Sequence, residues 1–338
     1  MEKIKLFEMF AGYGGASFAL KKAGVDYETV GYSEIDKFAI QCYEQNHGNV
    51  KNWGDCTKIN PNELPDFDLL TGGFPCQAFS GAGKGLGELD TRGTLVYDII
   101  RIAEVKKPKY MLLENVKGFT FRKFKETFNK VLSELDRIGY NVYWDVLNSK
   151  DYGVPQNRER VWFVCYRKDL EFDFEFPKKS DTNIVLKDIL ENDVEEKYYL
   201  SEKTCIGIMK SNYRERKPQD INKVCSTIKV GGDIKCIKDH KSYISWEDSK
   251  GRFNTQDHRA FKEDMYSGTV PAMERGIPNV YEEYTNLRKL TPTECYRLMG
   301  FKDGEIVLDS LSDTQKYKLA GNGWDINLVS QIFTQMFR

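Results

Sequence analysis

Histidine is scarce in this 338-residue chain, which holds only His47, His240 and His258, and no two of its eight cysteines are separated by two residues. Structural zinc sites are built from Cys-x-x-Cys and Cys/His spacings, and the lack of both argues against one. No apolar run is long enough to cross a bilayer, and the opening Met-Glu-Lys-Ile-Lys-Leu-Phe lacks the apolar core of a secretory signal. We therefore expect a cytoplasmic protein with no membrane segment and with reduced thiols, most of them small buried hydrophobes. An excess of charge of one sign is missing too. The 50 basic and 51 acidic side chains leave a net charge of -1, which excludes a histone-like polycation but not a local basic face for nucleic acid. What remains, 40% hydrophobic and 30% charged residues, is enough for one large domain or two unequal ones.

Up to about residue 170 the chain alternates strand-like and helix-like segments. Strands are expected at Lys3–Met9, Glu28–Ser33, Asp68–Leu70, Lys109–Leu113, Asn141–Leu147 and Arg160–Tyr166. Helices are expected near Ala16–Lys22, Lys37–Asn46, Thr94–Val105 and Phe124–Ile138. Such alternation implies a doubly wound, Rossmann-like α/β sheet whose ligands bind at the carboxyl ends of its strands. From Pro177 the texture turns polar and irregular, with short β-like pieces such as Val224–Val230, as in a smaller loop-rich domain. Helical patterning returns at Thr291–Met299 and Leu328–Phe337.

Four motifs sit at expected strand ends. After the first strand, Phe10-Ala-Gly12-Tyr-Gly14-Gly15 provides a tight turn and backbone amides at a helix N-terminus. The dinucleotide fingerprint requires a third glycine where this chain has Ser17, which weakens a nicotinamide reading while leaving a nucleotide-like cofactor open. Glu34 ends the second strand 22 positions after Gly12, near the spacing of a ribose-hydroxyl acceptor. After the third strand, Gly73-Phe-Pro75-Cys76-Gln77 sets a thiol at the crevice, followed by a glycine-rich stretch (residues 80–87) expected to close over substrate. Glu114, in Leu113-Glu114-Asn115-Val116, is a partly desolvated carboxylate suited to sharing a proton. In Gln156-Asn-Arg158-Glu-Arg160, period two places both arginines on one strand face. Residues 101–130 carry nine basic and three acidic side chains, a local +6 suited to a polyanion, although a solvated helix face has the same composition.

These blocks, with Arg288-Lys-Leu-Thr-Pro-Thr-Glu-Cys-Tyr-Arg-Leu-Met-Gly-Phe301 and Ala320-Gly-Asn-Gly323, occur in the order that resembles a DNA (cytosine-5)-methyltransferase of the bacterial or phage type. The resemblance implies methyl transfer from S-adenosylmethionine to C5 of a cytosine flipped out of double-stranded DNA. It implies Cys76 as the nucleophile, with Glu114, Arg158 and Arg160 as the other catalytic residues. It assigns the cofactor to Phe10, Gly12, Gly15, Glu34, Ile35, Asp55, Cys56, Pro75 and Asn322. It also implies a catalytic domain at 1–178 completed by 316–338, a target-recognition domain at 179–287 and a hinge region at 288–315. A cognate restriction endonuclease is a further expectation. Two features depart from the family pattern: Gly323-Trp324 replaces its common Ser-Val, and 178–288 matches little. Within that segment Arg214, Arg216, Lys217 and Arg259 are candidates for phosphate or guanine contacts. A tRNA cytosine-5-methyltransferase with the same core is the nearest rival. The Cys-Phe-Thr tripeptide of that branch is absent, which favours DNA.

Overall fold

The computed structural model describes residues 3–75, 95–180, 183–199 and 286–338, together with the strand backbone at 216–220, 237–239, 242–246, 260–261, 267–268 and 279–283. The chain divides into two units. The first comprises Met1–Asn148, Glu159–Lys178 and Leu328–Arg338, and the second Ser149–Arg158 and Lys179–Asn327.

Unit 1 is built on β1 (Ile4–Met9), α1 (Gly15–Ala23), β2 (Tyr27–Ser33), α2 (Lys37–His47), β3 (Leu69–Gly73), α3 (Leu95–Lys106), β4 (Tyr110–Val116), α4 (Lys125–Arg137), β5 (Tyr140–Asn148) and, beyond the short β6 (Gln156–Asn157) of unit 2, β7 (Glu159–Arg167). Its sheet runs β2-β1-β3-β4-β7-β5. The first four strands are parallel, and β7 lies antiparallel to both β4 and β5. Central strands covered on both faces need unbroken apolar runs rather than alternation. Met111, Leu112 and Leu113 of β4 and Val161–Cys165 of β7 meet that need, all at 2% exposure or less. Helix α4 turns Thr127, Phe128, Val131 and Leu135 inward at helical spacing. Phe128 joins Phe119 and Phe163 in an aromatic cluster with ring centroids 5.4–6.3 Å apart. Burying each such side chain contributes roughly 1.5–3 kcal/mol.

The strand order reverses direction beside β1: its crossover through α1 leads outward to β2, whereas β3 and β4 lie on its other side. The carboxyl ends of β1 and β3 therefore flank a topological switch point, where open α/β sheets leave a crevice.

In unit 2, β6 pairs in parallel with the strand segment Ser267–Gly268. Helix α5 (Pro292–Arg297) begins with a Thr291/Glu294 capping box. Arg288 grips Glu294 through two 2.8 Å bonds, both side chains fully buried. Helices α6 (Asp313–Asn322) and α7 (Ile326–Met336) follow, α7 passing into unit 1 at Leu328. The β-like piece expected at Val224–Val230 lies outside the described residues.

Candidate active site

The turn after β1 is shaped by backbone conformations that few side chains tolerate. Phe10, Gly12 and Gly14 have φ of 53°, 57° and 83°. A Cβ on Gly12 would meet nothing within 4 Å, so open space lies over the turn there. Gly14 is the opposite: a Cβ would sit 2.2 Å from His47 Nε2, and that nitrogen already lies 2.9 Å from the Tyr13 carbonyl. Glycine at 14 thus serves close packing against α2 as well as a left-handed φ.

Glu34 meets this turn from the end of β2. Its Oε2 accepts from Gly12 N at 2.9 Å, and its Oε1 from the amides of Ile35 (2.8 Å) and Asp36 (2.9 Å). Three backbone donors hold the carboxylate in one orientation while leaving lone pairs for hydroxyl donors. Ile35 next to it is 74% exposed, an aliphatic platform beside a polar turn.

A third turn joins these two through Asn52, a residue the sequence reading does not single out. Its Oδ1 accepts from Glu34 N (3.2 Å) and Gly54 N (2.9 Å), and its Nδ2 donates to the Glu34 carbonyl (3.1 Å). Ser33 Oγ adds a 2.6 Å bond to the Gly54 carbonyl. Asp55 then caps a short 3-10 turn at Cys56–Lys58 by accepting from Thr57 N and Oγ1. Those Thr57 bonds hold its carboxyl below the usual carboxylate range. Cys56 is buried, and its carbonyl and that of Ile59 accept from Arg101 at 2.9 and 2.7 Å. The signal for Asn52 was present as Asn52-Trp-Gly54, the Asn-x-Gly pattern of a side chain bonding to the backbone two residues on.

At the reactive strand ends, Glu114 pairs across the sheet with Gly73 of β3 and with Trp162 of β7. Arg160, at the start of β7, places Nε 2.9 Å from Glu114 Oε1, with the two side chains 16% and 11% exposed. A charge-assisted bond in such a shielded place fixes both groups far better than a surface pair. Asn115 Nδ2 donates 3.3 Å to the Phe74 carbonyl, tying the same strand end to the Phe74-Pro75 turn. Cys76 and the glycine-rich stretch after it lie outside the described residues.

The two arginines do not share a strand face, which corrects the expectation from period two. Arg158 precedes β7, is buried in unit 2, and donates to the carbonyls of Gly321 (3.1 Å) and Gly323 (2.8 Å). Asn322 lies between those two glycines, and Trp324 is buried in the same unit. Gln156 belongs there too, bonding the Leu298 carbonyl at 2.8 Å. Alternation fails at this point because the strand begins one residue after Arg158.

The basic stretch is likewise less concentrated than its composition. Arg101 is bound to carbonyls and Asp98, Lys106 to Asp66, Lys109 to Asp68 and Lys117 to Glu159. Arg122, Lys123 and Lys125 remain exposed around the start of α4, where Lys123 also stacks over Phe124. Among the described residues no His/Cys/Asp/Glu cluster could hold a metal ion, and no helix is long and apolar enough to cross a membrane.

A Rossmann-like sheet with a crevice at its switch point, extended by an antiparallel β7 that carries Arg160, defines the class as a doubly wound α/β protein. Comparison makes that class specific: the chain belongs to the C-5 cytosine-specific DNA methylase family, whose model matches residues 4–338. It is 36% identical over 336 residues to the type II methyltransferase M.NlaX of Neisseria lactamica, covering 98% of this chain and 96% of that one. It is 35% identical over 330 residues to the type II methyltransferase M.HhaI of Haemophilus parahaemolyticus, covering 97% and 93%. The fold is shared with the crystal structure of the S. pombe Dnmt2 methyltransferase, at a TM-score of 0.70 and 18% identity over 98% of each chain.

Proposed function

We propose that this DNA (cytosine-5)-methyltransferase takes its methyl group from S-adenosylmethionine and transfers it to a cytosine flipped out of a specific double-stranded sequence. The observation that carries the reading is the 2.9 Å Arg160–Glu114 pair, joined through Asn115 to the turn that leads directly into Cys76. The three linked turns suit the donor: Phe10, Gly12 and Gly15 offer backbone at a helix N-terminus, Glu34 accepts ribose hydroxyls, and exposed Ile35 packs on adenine. Asp55 and Cys56 extend the adenine side, and Pro75 and Asn322 take the methionine end.

The chemistry asked of the protein follows from the electronic structure of cytosine, whose C5 is a poor nucleophile. The Cys76 sulfur bonds to C6, shifting electron density to C5. Glu114 hydrogen-bonds N3 and the exocyclic amine, and a proton held at N3 offsets the charge that attack develops. Arg160 steadies O2, and Arg158 holds the 321–323 segment around Asn322. S-adenosylmethionine, when bound, would supply the electrophilic methyl group to C5, its sulfonium leaving as a neutral thioether. Loss of the C5 proton then breaks the S–C6 bond and restores both the aromatic ring and the thiolate.

We further propose that 179–287 reads the target sequence, that 1–178 with 316–338 performs the chemistry, and that 288–315 is the hinge. A type II context implies a cytoplasmic reaction and a cognate restriction endonuclease. The test is tritium transfer from labelled S-adenosylmethionine to duplex DNA and to tRNA, with bisulfite sequencing of DNA from expressing cells. Duplex labelling at one recurrent sequence supports the reading, and labelling of tRNA alone overturns it. Cys76→Ala is expected to abolish both methyl transfer and covalent trapping on 5-fluorocytosine DNA while retaining cofactor binding; methylation persisting in it would remove Cys76 as nucleophile.

A further inference from the structure

Behind the cofactor turn lies a polar cluster in which a carboxylate is almost wholly removed from water. Glu8, in β1 two residues before Phe10, is 2% exposed. Its Oε1 accepts from Ser17 Oγ at 2.5 Å and from Tyr43 Oη at 2.9 Å, and its Oε2 from Ala16 N at 3.2 Å. Ser17 Oγ lies a further 3.1 Å from Thr29 Oγ1 on β2. Three elements therefore meet at one side chain, β1, the first turn of α1 and the middle of α2, and Ser17 links β2 to them. Ser17 occupies the position where a dinucleotide-binding turn has its third glycine, so the hydroxyl supplies a bond where a glycine would only supply close packing.

We propose that Glu8 is a positioning residue for the cofactor site, clasping the first turn of α1 to α2 so that the Phe10–Gly15 and Glu34–Asp36 turns hold a fixed mutual geometry. The inference rests on the reading of those two turns as the S-adenosylmethionine site. Helix α2 starts directly from the second turn, with Asp36 as its N-cap, and Tyr43 lies two turns along it. Fixing Tyr43 to Glu8 consequently fixes the origin of α2 relative to the end of β1. The last residue of α2 adds a second hold, His47 Nε2 lying 2.9 Å from the Tyr13 carbonyl within the turn. The Gly12 N–Glu34 bond, which closes the site from the front, needs both turns in this register.

Either protonation state of the carboxyl can make the clasp. Ionised Glu8 accepts all three bonds. With a proton on Oε1 it donates to Ser17 Oγ, whose own hydrogen turns to Thr29 Oγ1, while Oε2 still accepts from Ala16. A glutamine at position 8 with Nε2 in the place of Oε1 donates one hydrogen to Ser17 Oγ and the other to Tyr43 Oη, so it keeps the clasp with the Tyr43 bond reversed.

The experiment measures S-adenosylmethionine affinity by calorimetry, together with KM for the cofactor and kcat on duplex DNA, for wild type, Glu8→Ala, Glu8→Gln and Tyr43→Phe. Removing hydrogen bonds to a buried carboxylate is expected to weaken cofactor affinity and raise KM about tenfold in Glu8→Ala, while kcat at saturation changes far less. Glu8→Gln recovers most of the affinity, and Tyr43→Phe, which removes one donor, falls between. A folded Glu8→Ala with wild-type affinity overturns the proposal, as does a loss confined to kcat. Should Glu8→Ala not fold, Tyr43→Phe decides by the same split. Wild-type protein that binds no S-adenosylmethionine overturns the cofactor reading itself, a separate result from wild-type binding that the variants share unchanged.

Discussion

Two ionisable side chains beneath the Phe10–Gly15 turn, buried Glu8 and half-buried His47, pull the pH dependence of stability in opposite directions. Burial pushes Glu8 up to about 7 against an ordinary 4.5, and burial pushes His47 down to about 4 from 6.5. Tyr27 and Tyr43, the other titratable groups facing Glu8, are shifted further above their ordinary range. Between pH 4.5 and 7 folded Glu8 keeps a proton that the unfolded chain has released, so its contribution to stability falls as pH rises through that window and then levels. Neutral His47 does the reverse between pH 4 and 6.5, where the unfolded chain binds the extra proton. Denaturation midpoints compared between wild type and Glu8→Gln across pH 5–8 isolate the first effect. The variant is expected to gain relative stability as pH approaches 7, and a difference independent of pH contradicts the assignment. Asn52 offers a second test at this scale. Asn52→Ala removes three bonds that hold the Glu34 and Gly54 turns together. Each such bond is worth about 1 kcal/mol, so cofactor affinity should fall at least about tenfold with DNA affinity unchanged. Binding isotherms for each ligand check it.

Among the elements, the buried Arg288–Glu294 pair fixes the entry to α5. Glu294 accepts from both Arg288 nitrogens, from Thr291 N and from Glu191 N, so no lone pair faces a void. Removing one partner leaves the other charge buried and uncompensated, a loss of about 3–5 kcal/mol. Arg288→Met is expected to lower the chemical-denaturation midpoint sharply, whereas the double variant Arg288→Met/Glu294→Leu should lose less than the single one. Most elements were legible in the sequence. The strands β4 and β7 hold continuous apolar runs at Tyr110–Leu113 and Val161–Tyr166, β1 is mostly apolar with Lys5 and Glu8 interspersed, and α4 shows clear helical spacing. The site motifs were legible because glycines, Pro75 and Glu114 fall where those runs end. What escaped are properties of contact rather than of spacing. Arg158 belongs to β6's neighbourhood because β7 starts one residue late, and Glu8 looks like one polar residue in a strand until α1 and α2 fold over it. Asn52 acts through turns 18 positions apart in sequence.

At the scale of the whole molecule, chemistry and sequence choice are proposed to sit in separate stretches of chain. The motif blocks fall outside 178–287, and of the described candidate side chains Glu34, Asp55, Glu114 and Arg160 belong to unit 1, whereas Arg158 and Asn322 belong to unit 2. Methyl transfer needs the same groups whichever cytosine is presented, whereas base-edge readout changes with every target. A chain under both demands can vary the reading segment freely only if the catalytic groups do not depend on it. Exchange of residues 179–287 for the corresponding region of a relative with a different target should therefore move the methylated sequence with the exchanged segment. Cys76-dependent trapping should persist, with kcat within about tenfold of wild type, a change of about 1.4 kcal/mol in barrier. Bisulfite sequencing of a plasmid carrying both targets reads the outcome. Methylation that stays at the original sequence would place recognition in unit 1, beside exposed Arg122, Lys123 and Lys125, and would make 179–287 a structural segment rather than a reading one.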